Sequence, residues 1–131
     1  MEKYASHRET YDAGLSIRRQ VVGDDYVDRA LATTNDFTKP MQDLVTEYCW
    51  GAVWTRPGLD VKTRSFLNLA MLTALNRSTE LATHVRGALT NGATPEEIQE
   101  VLLQSAIYVG VPAALESFRI ADKVLNEQRD K

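Results

Sequence analysis

The residues of this chain whose types and spacing first suggest chemistry are Arg77, Glu80 and His84. On a helix that advances about 100° per residue, these positions fall within about 60° of one another, so one helical face would present a guanidinium, a carboxylate and an imidazole. An imidazole oriented by a carboxylate exchanges protons near neutral pH, and an arginine fork holds carboxylates and oxyanions. The same spacing also suits a histidine hydrogen-bonded within the core beside an ordinary surface pair. Arg77 falls outside the helix if Ser78 caps it. A second arginine group, Arg56 and Arg64, flanks the Pro57-Gly58 turn and offers either an anion contact or two solvated charges. Tyr48, Trp50 and Trp54 cluster before that turn, where aromatics build a core, a subunit interface or a ligand wall.

Other chemistries are excluded early. Cys49 is the one cysteine, so no intrachain disulfide or dithiol reaction is possible. Two histidines 77 positions apart, with no Cys/His spacing, give no closed zinc site, and no metal is expected. The 15 basic residues against 18 acidic ones leave a net charge of −3, and the densest basic pair, Arg18-Arg19, is followed at once by Asp24 and Asp25. Nucleic acid is therefore not an expected partner. The apolar stretches around Phe66–Leu75 and Val101–Pro112 are too short and too interrupted to cross about 30 Å of lipid. The first ten residues lack the apolar centre of a secretory signal, so a cytoplasmic location is expected.

The elements that must position these residues read as helices. At 131 residues the chain fits one domain spanning 1–131, exposing roughly 7,000 Å² folded against roughly 21,000 Å² unfolded. The clearest start is Thr94-Pro95-Glu96-Glu97, a capping box with proline in the first turn, predicting a helix to Tyr108 with Ile98, Val101, Leu102, Ser105 and Val109 on its stripe. Gly110 ends it, and Pro112 opens a last helix with Ala114, Phe118, Ala121 and Leu125 on one face. Upstream, Asp60 caps a helix to Asn76, and Ser78 or Thr79 caps another that Asn91-Gly92 closes, with His84 inside its apolar stripe. Segments Tyr4–Gln20, Asp24–Thr33 and Lys39–Tyr48 complete an all-α bundle. Trp50–Trp54 has some strand composition but is too short and solitary to pair.

Three runs carry a resemblance: Trp50–Leu67, Glu80–Ile98 and Ala106–Ala114, extended upstream by Gly14-Leu-Ser-Ile-Arg-Arg-Gln-Val-Val-Gly-Asp-Asp-Tyr-Val-Asp. From about Gly14 to Leu125 the chain resembles the carboxymuconolactone decarboxylase and alkyl hydroperoxidase D-like family. The resemblance implies a compact all-helical fold and a ring homohexamer. Redox members of that family carry a Cys-x-x-Cys-x-x-x-His motif preceded by a glutamate. Laid on His84, the cysteine positions fall at Arg77 and Glu80 and the glutamate position at Ser65, so only the histidine is kept. The departure suits the cofactor-free decarboxylase branch, since a thiolate pair has become an Arg and a Glu.

The implied reaction converts 4-carboxymuconolactone, a small lactone dicarboxylate, to 3-oxoadipate enol-lactone in the β-ketoadipate pathway that degrades aromatic compounds such as protocatechuate. Loss of CO₂ would send electrons through the ring double bond to the lactone carbonyl, so no cofactor sink is expected. In this reading His84 donates the proton, Glu80 orients it, and Arg56, Arg64, Arg77 and Trp54 contact substrate. Two alternatives remain at this point: a decarboxylase or isomerase of a related lactone, and a non-catalytic oligomeric helical module with His84 in its core.

Overall fold

The computed structural model describes residues 4–130, which contain seven α-helices, one π-helix and no strand. The all-α expectation holds. The chain divides into two compact units at Leu59/Asp60.

In the first unit, α1 (His7–Val22) begins where Ser6 Oγ accepts the Glu9 N–H at 3.1 Å. Gly23, at φ 91°, separates it from α2 (Asp24–Ala32). Then α3 (Lys39–Leu44) runs directly into a π-helix, Val45–Trp54. This corrects the sequence reading, which continued an ordinary helix to Tyr48 and left Trp50–Trp54 outside any element. α1 packs backbone to backbone on the π-helix through two glycines. A Cβ on Gly14 would stand 2.0 Å from the Thr46 carbonyl oxygen, and one on Gly51 2.2 Å from that of Thr10. Trp50 and Trp54, both buried, pack with ring centroids 4.7 Å apart and planes tilted by 33° inside this unit. His7 at the start of α1 pairs with Glu47 on the π-helix.

The second unit packs α4 (Val61–Ala74), α5 (Ser78–Thr90), α6 (Pro95–Val109) and α7 (Val111–Arg129) around Leu69, Leu81, Val85, Ile98, Leu102 and Val124. Asp60 caps α4 through the Thr63 N–H at 2.7 Å, and that bond holds its carboxyl below the usual value. The Thr94–Glu97 capping box is present in both directions, at 3.1 and 3.0 Å. Asn76, in the left-handed region at φ 57°, turns the chain from α4 into α5, and Arg77 rather than Ser78 occupies the cap position of α5. Thr73 and Ser117 satisfy each other at 2.9 Å between α4 and α7. The buried face of α7 is Ala114, Ser117, Ala121 and Val124, so its stripe is turned by one position at two places from the expected one.

Candidate active site

His84 sits two turns into α5, facing α4. Half-buried, it has Asn68 of α4 as hydrogen-bond partner, with Nδ2 3.3 Å from its Nδ1. An amide N–H donates, so Nδ1 accepts and the neutral ring carries its proton on Nε2. Burial pushes the imidazole below its ordinary pKa, and the carboxylate of Glu80 one turn earlier works against that shift. The free site therefore holds a neutral, tautomerically fixed imidazole. An anion placed beside it would restore its affinity for a proton.

The other expected residues are distributed unevenly. Glu80 is exposed and acts on His84 through its charge, while Asn68 hydrogen-bonds the ring. Arg64 lies one turn before Asn68 on the same face of α4. It is half-buried, and its Nε is shut off from solvent. Arg77 is exposed at the α5 cap, seven residues and roughly 10 Å along the helix from His84 at 1.5 Å per residue. Arg56 is exposed immediately after the π-helix, and Trp54 is buried against Trp50; both belong to the first unit. Ser65, where redox relatives carry a glutamate, is fully buried and accepts the Asn91 amide at 2.9 Å, tying the end of α5 to α4.

Sequence reasoning missed Asn68. Its signal was a carboxamide four residues after Arg64, which has no meaning until α5 is laid against α4. Beside this face, Phe66, Leu67 and Ala70 of α4 and Val101, Ser105 and Tyr108 of α6 line a groove of about 290 Å³. Arg64 and Asn68 directly follow the groove residues Thr63 and Leu67 in α4, about 100° around the helix. Burial pushes the Cys49 thiol up, with the Arg18 guanidinium partly offsetting it, so this cysteine is not an activated thiolate. Among the described residues no three His, Cys, Asp or Glu side chains are grouped to hold a metal ion, and no helix is long and apolar enough to cross a membrane.

Comparison with known proteins bears on what this site does. The carboxymuconolactone decarboxylase family profile matches residues 39–123. A nitrosuccinic acid decarboxylase of Metarhizium robertsii is 43% identical over 125 residues, covering 95% of this chain and 87% of the relative. A 4-carboxymuconolactone decarboxylase of Acinetobacter baylyi is 38% identical over 119 residues, covering 91% and 89%.

Proposed function

The chain belongs to the carboxymuconolactone decarboxylase family and is a carboxy-lyase, and from that premise we propose that it decarboxylates 4-carboxymuconolactone to 3-oxoadipate enol-lactone without a cofactor, in the β-ketoadipate route of aromatic degradation. His84 is the proton donor. The observation that carries this assignment is the half-buried imidazole held at Nδ1 by Asn68.

Breaking the carbon–carboxylate bond leaves its electron pair in the ring, conjugated through the double bond to the lactone carbonyl. The resulting dienolate needs a donor toward its oxygen and a proton at the carbon next to the carbonyl. Substrate carboxylate beside His84 raises the imidazole pKa and draws a proton onto it. The imidazolium gives that proton to carbon after CO₂ departs, and solvent restores it. Arg64 anchors a substrate carboxylate, with Arg77 of the same unit as a further contact. Glu80 biases His84 toward the charged form.

A second substrate is favoured by the 43% identity to a nitrosuccinic acid decarboxylase. The electronic demand is the same, because a nitro group accepts the electron pair as a nitronate, which is then protonated on carbon. CO₂ release from each acid, measured on the purified chain, decides between them. Faster turnover of the carboxymuconolactone supports the first reading, faster turnover of nitrosuccinate moves the assignment to the second, and failure with both overturns the substrate class.

The chain also self-associates in this reading, as a hexamer. Support comes from apolar side chains left at the surface of the second unit: Leu67 and Met71 on α4 with Leu75 at its C-terminal cap, and Leu103, Ile107 and Tyr108 on α6. A monomer in light scattering at micromolar concentration would contradict this.

A further inference from the structure

Arg18, in the first unit, is the charged side chain that the described residues bury most completely, at 5% exposure. Its Nη1 donates to Gln42 Oε1 at 3.1 Å and to Thr46 Oγ1 at 3.2 Å, both uncharged acceptors. Among the described residues no aspartate or glutamate pairs with it. Acidic partners stand close by in the fold but go elsewhere: Arg19, the next residue, pairs with Asp24 at 3.1 Å and Asp28 at 2.9 Å at the surface. The groups acting on the Arg18 charge are Tyr26, Cys49 and Tyr11, none of them a carboxylate, and burial lowers its proton affinity. A guanidinium buried without an anion is costly, and replacing buried ionic groups by apolar side chains of similar volume is often neutral or stabilising.

The unused donors have a definite shape. Nε and Nη2 make no hydrogen bond with the described residues and are not sealed from solvent. That edge is one a carboxylate engages with two parallel bonds. We propose that Arg18 is a carboxylate-binding residue, its Nη1 fixed by Gln42 and Thr46 and its Nε–Nη2 edge kept open for the carboxylate of a small organic acid. The competing role is a clamp at the start of the π-helix. Thr46 Oγ1 also donates to the Gln42 carbonyl at 2.8 Å, so that junction keeps a bond when the guanidinium is removed.

The test uses the full chain, with sodium succinate as probe and sodium chloride of equal ionic strength as control. Succinate is expected to raise the wild-type Tm saturably. Arg18→Met should unfold at the same or higher Tm than wild type and lose the succinate response, and Arg18→Lys should keep part of it. In wild-type ¹⁵N spectra the Arg18 Nε resonance should move with the same saturation. A wild-type response no larger than with chloride, or an undiminished response in folded Arg18→Met, would overturn the proposal. Should Arg18→Met not fold, an Nε resonance unmoved at saturating succinate would overturn it equally. Inhibition of decarboxylation separates the two sources of the carboxylate. Competitive inhibition at the binding constant identifies the substrate's own carboxylate, and binding without competition identifies a separate effector acid; both results support the proposal.

Discussion

Removing the imidazole is the most informative perturbation, because its two possible roles move different quantities. His84→Ala deletes a half-buried ring and leaves the Asn68 amide facing the vacated space. The partial exposure lets water reach that amide, so the stability cost is that of a small partly solvated cavity, about 1–2 kcal/mol. For a chain of this size that lowers Tm by roughly 4–8 °C. The chemical cost is separate: a positioned proton donor contributes about 10²–10⁴ in rate, or about 3–5 kcal/mol of barrier. The assay is kcat per folded molecule, with folding checked by circular dichroism on the same preparation. Added imidazole should restore part of the rate in the variant, since the cavity is the size of the missing ring. A folded His84→Ala enzyme with near-wild-type kcat would refute the assignment and leave His84 as a packing residue.

Further expectations concern the surrounding groups. Because burial lowers the free-enzyme His84 pKa, kcat/KM should fall as pH rises through a value below about 6.5, while kcat, which reports the substrate complex, should fall at a higher pH; identical limbs would remove the bound anion's role. The same lowered pKa means the folded state binds fewer protons than the unfolded one, so the neutral ring's stabilising contribution is complete above about pH 6.5 and lost as pH falls, and His84→Gln should flatten that part of the Tm profile. Arg64→Ala should raise KM roughly 10–100-fold with kcat within about threefold, the loss of one charged contact; a kcat loss at constant KM would instead make it a transition-state contact. Gly14→Ala places a Cβ 2.0 Å from a backbone oxygen that cannot swing aside, so thermal unfolding should show a loss of about 3 kcal/mol or more.

Helices carrying local signals were legible in the sequence. The capping box at Thr94, the Asp60 cap and Gly110 are each complete within a few residues, and the structure builds them as read. What failed was longer in range. Nothing local marks a π-helix at Val45–Trp54, and its contact with α1 runs through Gly14 and Gly51, residues 37 positions apart. The same limit applies at the site. Periodicity placed His84 and Glu80 on one face of α5, but the partner of the imidazole comes from α4, and a lone asparagine gives no warning of it. Arg18 was visible only as half of a basic pair. Its burial, and the contrast with Arg19, appear once α1 is packed on the π-helix.

A protein-borne proton at the end of decarboxylation leaves a mark on the product. The decisive measurement is turnover in D₂O with chelator present, the product's new C–H position read by NMR before it exchanges. Wild-type enzyme should deliver a single deuteron to one face of that carbon, and His84→Ala should give slow turnover with deuterium on both faces. Equal labelling of both faces by the wild-type enzyme would mean that protonation follows release into solvent, and would contradict His84 as the donor.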